Sequence, residues 1–600
     1  MADTSKGSSQ AKKGRRRAST KNAEEHEAAA VLGRVKKDPL LDVPTQPFLR
    51  DQLYGDTTKA ASQSARAQRG KPIEEIASDR VRKTAPAPYP KLPEEIRQSV
   101  EALSPKRRTL HGAKFSLAYF PRPHLRSDCA DRFCYLSSDQ SRASTKLPFT
   151  PNSKSRLEAL GAAMAAPGRD SPLPDSTLDA GLTYVGQFVD HDITLDVSSS
   201  LEVETDATTI HNMRSPSLDL DSVYGQGPAM DPFLYDMPGL GVNPTAIKLQ
   251  VGTNLSSGDG GPGGTAGFGG MVQHSDRDVP RVASDTHTAI IGDPRNDENL
   301  IIVQFHHAML RFHNAMVDAL LLSGFSGDIF VEAKRRVTHH YQWAVVNDFL
   351  RQVCGDQAVD DALSGVDPEI DSPFCMPVEF SVAAYRYGHS MIRDHYWLNF
   401  NFTMASLAEV FAFNRVPNLP VRSNWVVDLN AFFSTGIPVP VFNKARKIDT
   451  GIANGLTALP GLSGMLAELA MRNLLRGLAL GLPSGQGMAS EFGISPLTET
   501  QLLQGLPNGE ADVLDGSGKL LLKKTPLWYY VLREAAVLEN GDRLGPVGGR
   551  IVAETLVRML KRDPDSYLNV PGGFTPFLPS AVPGDFTFSD LLIFSGMTQP

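Results

Sequence analysis

The stretch Gly186-Gln187-Phe188-Val189-Asp190-His191-Asp192 follows directly on the apolar run Leu182 to Val185 and sets a histidine between two carboxylates. Two adjacent negative charges need a cation or a covalent partner if they are buried. Read as a helix, the stretch puts Gln187 and His191 four apart on one face, with Asp190 close to that face and Asp192 turned off it. One face then serves a reacting centre while Asp192 serves a cation. A solvated surface turn is the plain alternative.

Four further segments extend this reading. Ser215-Pro216-Ser217-Leu218-Asp219-Leu220-Asp221 alternates oxygen-bearing residues in a way that can wrap a hard cation, which takes six to eight oxygens. It lacks the glycine and distal glutamate of an EF-hand, and a turn before a strand explains it equally well. Joined to Asp192 it completes a site. Gly292-Asp293-Pro294-Arg295-Asn296-Asp297-Glu298-Asn299 looks like a helix start, with Arg295 and Glu298 three apart on one face, either as chemistry or as an intrahelical ion pair. The helix behind it carries His306, His307 and His313, but no His-Glu-x-x-His spacing, so these read as core or supporting histidines and not as zinc ligands. Tyr385-Arg386-Tyr387-Gly388-His389 sets one imidazole in an apolar helical context, where it would ordinarily be a satisfied core residue. Arg472-Asn473-Leu474-Leu475-Arg476 places an amide and a guanidinium inside an apolar helix, where both need partners.

Outward from these segments, apolar residues recur at three- and four-residue spacings over Leu300 to Leu322, Ala333 to Val353, Val382 to Ile392, Leu462 to Leu480 and Gly549 to Leu560, which predicts helices. Period-two runs are short, so the expected body is mainly α with long irregular connections. With 41% apolar and 21% charged residues the chain is an ordinary globular one, and no apolar run is long enough for a transmembrane segment. The net charge of -7 argues against a sequence-specific nucleic-acid partner, although seven Lys or Arg face Asp3 alone between Met1 and Asn22. Residues 1–100 read as a disordered basic N-terminal arm, and residues 101–600 as one catalytic domain. Gly252 to Gly270 holds nine glycines and reads as a flexible surface loop. Four cysteines are too few for a disulfide framework, though Cys129 and Cys134 are close enough to close a small loop outside the cell. With no secretory or twin-arginine signal visible, a cytoplasmic location is the expectation, and export without a cleaved signal stays open.

In this order the five segments resemble the animal haem peroxidase family, and the resemblance extends to Leu544-Gly545-Pro546-Val547-Gly548-Gly549-Arg550 near the end. It implies that His191 is the distal histidine, Gln187 the distal glutamine and Arg295 the catalytic arginine. His389 matches the proximal ligand of the haem iron and Asn473 the residue that accepts its ring proton. Asp190 and Glu298 match carboxylates that form ester bonds to haem methyl groups. Asp192, Ser215, Ser217, Asp219 and Asp221 match a calcium shell, and Arg386 and Arg476 match arginines near the haem propionates or the proximal network. The implied cofactors are haem b and Ca2+. The implied activity is reduction of hydrogen peroxide and oxidation of a small donor (a halide, thiocyanate or a phenol) through an oxoferryl haem. Asn299 stands where some members carry a methionine bonded to haem, which makes chloride oxidation less expected.

The same fold class contains fatty-acid dioxygenases of the cyclooxygenase-like branch, whose radical tyrosine sits three residues before the proximal histidine. Here Arg386 holds that position, and a one-residue shift on a helix turns Tyr385 or Tyr387 by about 100°. The register favours the peroxidase. A non-enzymatic adhesive protein would have lost one of the two histidines, and both are present. Oligomeric state leaves no mark in the sequence.

Overall fold

The helix that apolar spacing predicts over Leu300 to Leu322 forms over those same residues, and Asn299 explains why it starts there: its side chain accepts from the backbone N–H of Ile301 and Ile302. The computed structural model describes residues 132–598, apart from 167–174, 197–200, 202, 256–275, 284–286, 366–373, 414–419 and 460–466. All of these belong to the unit Pro90–Leu459 with Gly464–Pro600. The basic arm and most of the glycine-rich stretch lie outside the described residues.

The architecture is mainly helical, and the sheets among the described residues are two-stranded. The elements that build the site are strand β1 (Phe133–Cys134), helix α1 (Pro151–Met164), β2 (Asp175–Asp179), α2 (Ala180–Ile193), α3 (Leu300–Leu322), α4 (Ile329–Ala344), β3 (Met376–Pro377), β4 (Lys444–Arg446), α5 (Leu469–Ala479), α6 (Leu527–Leu538) and α7 (Pro546–Arg562). β1 runs parallel to β3, and β2 antiparallel to β4. β2 leads straight into α2, which is buried over twelve of its positions and packs against α3 and against the 3-10 helix Ala384–Met391. A Cβ at Gly181 would stand 2.5 Å from the Phe433 ring, so only glycine lets α2 start this close to its neighbour. On α2, Phe188 meets Phe305 of α3 and Tyr341 of α4 edge-on, with centroids 5.2 and 6.1 Å apart.

Several expected helices differ in kind. Beyond α4 the chain continues through a π-helical segment, Val345–Leu350, to Arg351–Cys354, so the expected helix over Ala333 to Val353 carries a wider turn in its middle. Phe349 in that turn lies against Gly186 of α2. Val382 to Ile392 is not an α-helix: Ala383 has non-helical φ/ψ, and Ala384–Met391 winds as a 3-10 helix around Gly388. Within Leu462 to Leu480 the described helix is α5, because residues 460–466 fall outside the description. The expected closing helix forms as α7.

The cysteine pairing also differs. Cys134 is joined to Cys375, 241 residues away, and not to Cys129, which lies outside the described residues. Spacing along the chain cannot reveal a bond whose partners meet only when β1 aligns beside β3. Cys354 is a buried free thiol. Among the described residues no helix is long and apolar enough to cross a membrane.

Candidate functional site

His191 sits in the last turn of α2, 5% exposed, with its ring Nδ1 2.8 Å from Asn296 Oδ1. Burial, with the nearby Arg295 charge, holds its pKa below the usual histidine range, so the imidazole is neutral. Among the described residues its Nε2 has no hydrogen-bond partner. Arg295 belongs to the 3-10 turn Pro294–Asp297, whose N-cap Asp293 accepts from the Arg295 backbone N–H at 2.9 Å. The Asp293 carboxylate also takes Nε and Nη2 of Arg295, and Nη2 donates to the His191 carbonyl at 3.0 Å. This leaves Nη1 without a hydrogen-bond acceptor among the described residues.

Arg295 and Glu298 therefore do not form the intrahelical pair that their spacing permits. Arg295 turns to Asp293, and Glu298 accepts from Nε2 of Gln187 on α2. Asp190 faces Arg386 of the 3-10 helix at 3.3 Å. Burial pushes the Asp190 carboxyl up, but the charges of Arg386 and Arg295 and the hydrogen bond from the Thr194 hydroxyl outweigh it and hold the group ionised.

Asp192 points away from this face. Its carboxylate accepts from the backbone N–H of Leu220 at 3.2 Å and from the Ser222 hydroxyl at 3.0 Å. Asp192, Asp219 and Asp221 each offer an oxygen within 4.8 Å of the others, a cluster able to hold a metal ion. Burial and mutual repulsion push the Asp192 carboxyl up; burial, Asp219 and Asp293 do the same to Asp221, pushed up to about 7 against the pull of Arg214. Leu220 adopts the left-handed conformation, at φ 61°, to fold the loop around the cluster. Ser215 joins through its hydroxyl, 3.3 Å from Asp219, whereas the Ser217 hydroxyl turns to Asp563 at 3.0 Å.

On the other wall, His389 in the 3-10 helix meets Asn473 of α5, with 2.9 Å between ring Nδ1 and amide Nδ2. The expectation is an asparagine that accepts the ring proton; in this orientation the amide donates instead. Burial, then the Arg386 charge, brings the His389 pKa down to about 3. Although the ring is enclosed by protein, His389 keeps an accessible face, and a Cβ on Gly388 would meet nothing within 4 Å. Arg476 pairs with Asp196 at 3.1 Å. Burial and the charge of Arg386 both lower its pKa. Phe380 stacks on Tyr385, and the Tyr385 hydroxyl is buried without a partner.

The fold thus brings Gln187, Asp190, His191, Arg295, Glu298, Arg386, His389 and Asn473 onto facing elements. Three residues with no role in the sequence reading prove central. Asn296 holds the His191 ring, Asp293 clamps Arg295, and Arg214 bridges Asp293 at 2.5 Å to Asp221 at 3.3 Å. Only Asp293 left a signal, as the residue before Pro294 at a helix start.

A profile of the animal haem peroxidases matches residues 203–558, beginning downstream of His191. A "Peroxidase-like protein" of Margaritifera margaritifera is 28% identical over 264 residues, 36% of this chain and 31% of that protein, so the match spans about a third of that relative's length. Peroxidase A from Dictyostelium discoideum shares the fold, with a TM-score of 0.50 at 16% identity over 73% of this chain and 89% of that one. The fatty acid alpha-dioxygenase of Oryza sativa aligns with a TM-score of 0.46 at 13% identity, over 68% and 74% of the two chains. Because the profile takes in more than half of the sequence, the chain belongs to the animal haem peroxidase family.

Proposed function

We propose that the protein is a haem-dependent peroxidase that reduces hydrogen peroxide and oxidises a small donor such as a halide, thiocyanate or a phenol. One observation carries this reading: two neutral imidazoles on facing elements, each engaged at Nδ1 by an asparagine, and the guanidinium of Arg295 bound to the carbonyl of one of them. The donor set fits haem b. An imidazole is the ordinary iron ligand, the accessible face of His389 and the open space beside Gly388 leave room, and the adjacent Arg386 and Arg476 are suited to anionic propionates. When bound, the haem supplies the electrons that cleave the peroxide.

His389 would hold the iron through Nε2, with Asn473 turned so that its oxygen accepts the Nδ1 proton and makes the ring a stronger donor. On the opposite wall, neutral His191 takes a proton from one peroxide oxygen at Nε2 and returns it to the other. Arg295, held by Asp293, offers Nη1 to the negative charge developing on the departing oxygen. Gln187, hydrogen-bonded to Glu298, borders the same space. Asp190 and Glu298 would carry the ester links to haem, and Asp192, Asp219, Asp221 and Ser215 would hold Ca2+ behind His191. Arg386, engaged with Asp190, occupies the register that a dioxygenase gives to its radical tyrosine, which supports the peroxidase reading.

The test is to purify the chain with haem supplied, record its absorption spectrum, and add hydrogen peroxide with bromide, iodide or a phenol, and separately linoleate with oxygen. Peroxide-dependent oxidation of the small donors, abolished by His191→Ala, is the expected result. Linoleate oxygenation dependent on Tyr385 or Tyr387 would move the chain to the dioxygenases, and failure to bind haem would sink both readings.

A further inference from the structure

His191 can act as a base only if its bare lone pair is on Nε2, the nitrogen left without a partner. A neutral imidazole carries its single proton on one ring nitrogen or the other, and the hydrogen bond at Nδ1 decides which. At Nδ1 stands Asn296, fully buried, with its Oδ1 2.8 Å away. The opposite end of the same amide is also engaged: Nδ2 lies 3.1 Å from Nδ1 of His306 on α3. An amide oxygen accepts and an amide nitrogen donates, so this orientation fixes both rings at once. His191 must carry its proton on Nδ1 to meet the oxygen, and His306 must leave its Nδ1 bare to meet the nitrogen.

We propose that Asn296 is a positioning residue that locks His191 in its Nδ1–H tautomer, with His306 as the anchor that keeps the amide the right way round. This rests on the peroxidase reading for its purpose, though not for its geometry. His306 is suited to anchoring and to nothing reactive. It is 0% exposed, lies beside Phe188 with ring centroids 6.1 Å apart, and its Nε2 is sealed without a partner. Burial holds its pKa down to about 3, so it stays neutral and supplies a lone pair rather than a charge.

Turned over, the amide would donate to His191 Nδ1 and leave the proton on Nε2, the atom that has to receive one from peroxide. The turn that carries Asn296 also carries Arg295, whose Nη2 holds the His191 carbonyl at 3.0 Å. Two consecutive residues therefore grip His191 by its ring and by its backbone.

The experiment has two readouts. In the full-length chain without haem, labelled with 15N-histidine and with the His191 resonance identified from its absence in His191→Gln, long-range 1H–15N correlations report which nitrogen carries the proton. Nδ1–H is expected in the unmodified protein and in Asn296→Asp, which keeps an acceptor in place, but not as the dominant form in Asn296→Leu. In the haem-loaded chain, Asn296→Leu slows the reaction with hydrogen peroxide by about 10- to 100-fold, the scale of losing a partner that orients a functional histidine. The later oxidation of the donor is unchanged, and Asn296→Asp restores most of the loss. An Nε2–H form of His191 in the unmodified chain overturns the proposal, and so does a leucine variant that keeps both tautomer and rate. If the unmodified chain does not react with peroxide at all, the peroxidase reading fails, while the haem-free measurement still decides the tautomer.

Discussion

The two imidazoles are held by asparagines at nearly equal distances, 2.8 Å for His191 and 2.9 Å for His389, but by opposite ends of the amide. Asn296 presents oxygen and is pinned at its far end by His306. Asn473 presents nitrogen, and among the described residues its oxygen has no hydrogen-bond partner. The surroundings differ in the same sense. Behind His191 runs a chain of charges, Arg295 to Asp293 to Arg214 to Asp221, and then the acidic cluster. On the 3-10 helix that carries His389, Tyr385 stacks on Phe380 and meets Tyr387 edge-on, and the strongest charge on the imidazole is that of Arg386. A pinned amide in a charged network is preorganised for proton transfer. An amide held at one end can turn over with little movement of heavy atoms, which suits a wall that has to receive a large ligand.

The strongest way to break this contrast is to remove each imidazole. His389→Ala should abolish iron ligation and change the whole absorption spectrum. His191→Ala should leave the spectrum near that of the unmodified protein and cost about 10²- to 10⁴-fold in the rate with peroxide. Equal spectral damage from both would mean that the walls do not divide the work as described.

Removing the calcium proposed for the acidic cluster is the next largest effect, and it should act on the His191 wall alone. Calcium at about 100 times its dissociation constant stabilises a fold that binds it by about 2.7 kcal/mol. Chelation should therefore lower the melting temperature by a few degrees and slow the peroxide reaction, since the cluster is tied to Arg295 through Arg214 and Asp293. Asp192→Asn should make the protein indifferent to added calcium. A chelated protein with unchanged melting and rate would remove the cation from the site.

Asn473→Leu is the milder proximal counterpart. It should weaken haem binding by about tenfold, the usual scale for losing the partner of a metal-ligating histidine, with the ligation type conserved in the spectrum. Loss comparable to His389→Ala would show that Asn473 does more than orient the ring.

The two walls were also unequally legible in the sequence. α2 could be read because regular helical spacing carries Gln187, Asp190 and His191 to one face and Asp192 to another. Arg295 and Glu298 were legible as residues but not as partners: they share one 3-10 turn at three-residue spacing, but Asp293 takes the guanidinium and Gln187 of α2 takes the carboxylate. His389 looked like an ordinary core histidine until the resemblance gave it a role: apolar spacing over Val382 to Ile392 predicts a helix, and neither that spacing nor the 3-10 winding that forms distinguishes a ligand from a packed imidazole. Asn296, Arg214 and the Cys134–Cys375 bond depend on contacts between segments far apart in the chain, which local pattern cannot show.

The smallest effect tests whether pH acts on the walls or elsewhere. Glu534, on α6 and 1% exposed, accepts from the backbone N–H of Val547 at 2.8 Å and Gly548 at 3.1 Å at the start of α7. Burial pushes its carboxyl from 4.5 up to about 7, against the pull of those two N–H groups. Between these values the folded protein holds a proton that the unfolded chain has released, so stability from this group is full below about 4.5 and is lost as pH rises through about 7. Glu534→Gln keeps the shape and cannot ionise. The variant's melting temperature should therefore fall less than the unmodified protein's between pH 5 and pH 8, with the rate toward peroxide unchanged. If the two proteins lose stability in parallel over that range, the pH sensitivity belongs to the other raised carboxyls, Asp221 behind His191 and Asp348 in the π-helical segment, and not to the α6–α7 junction.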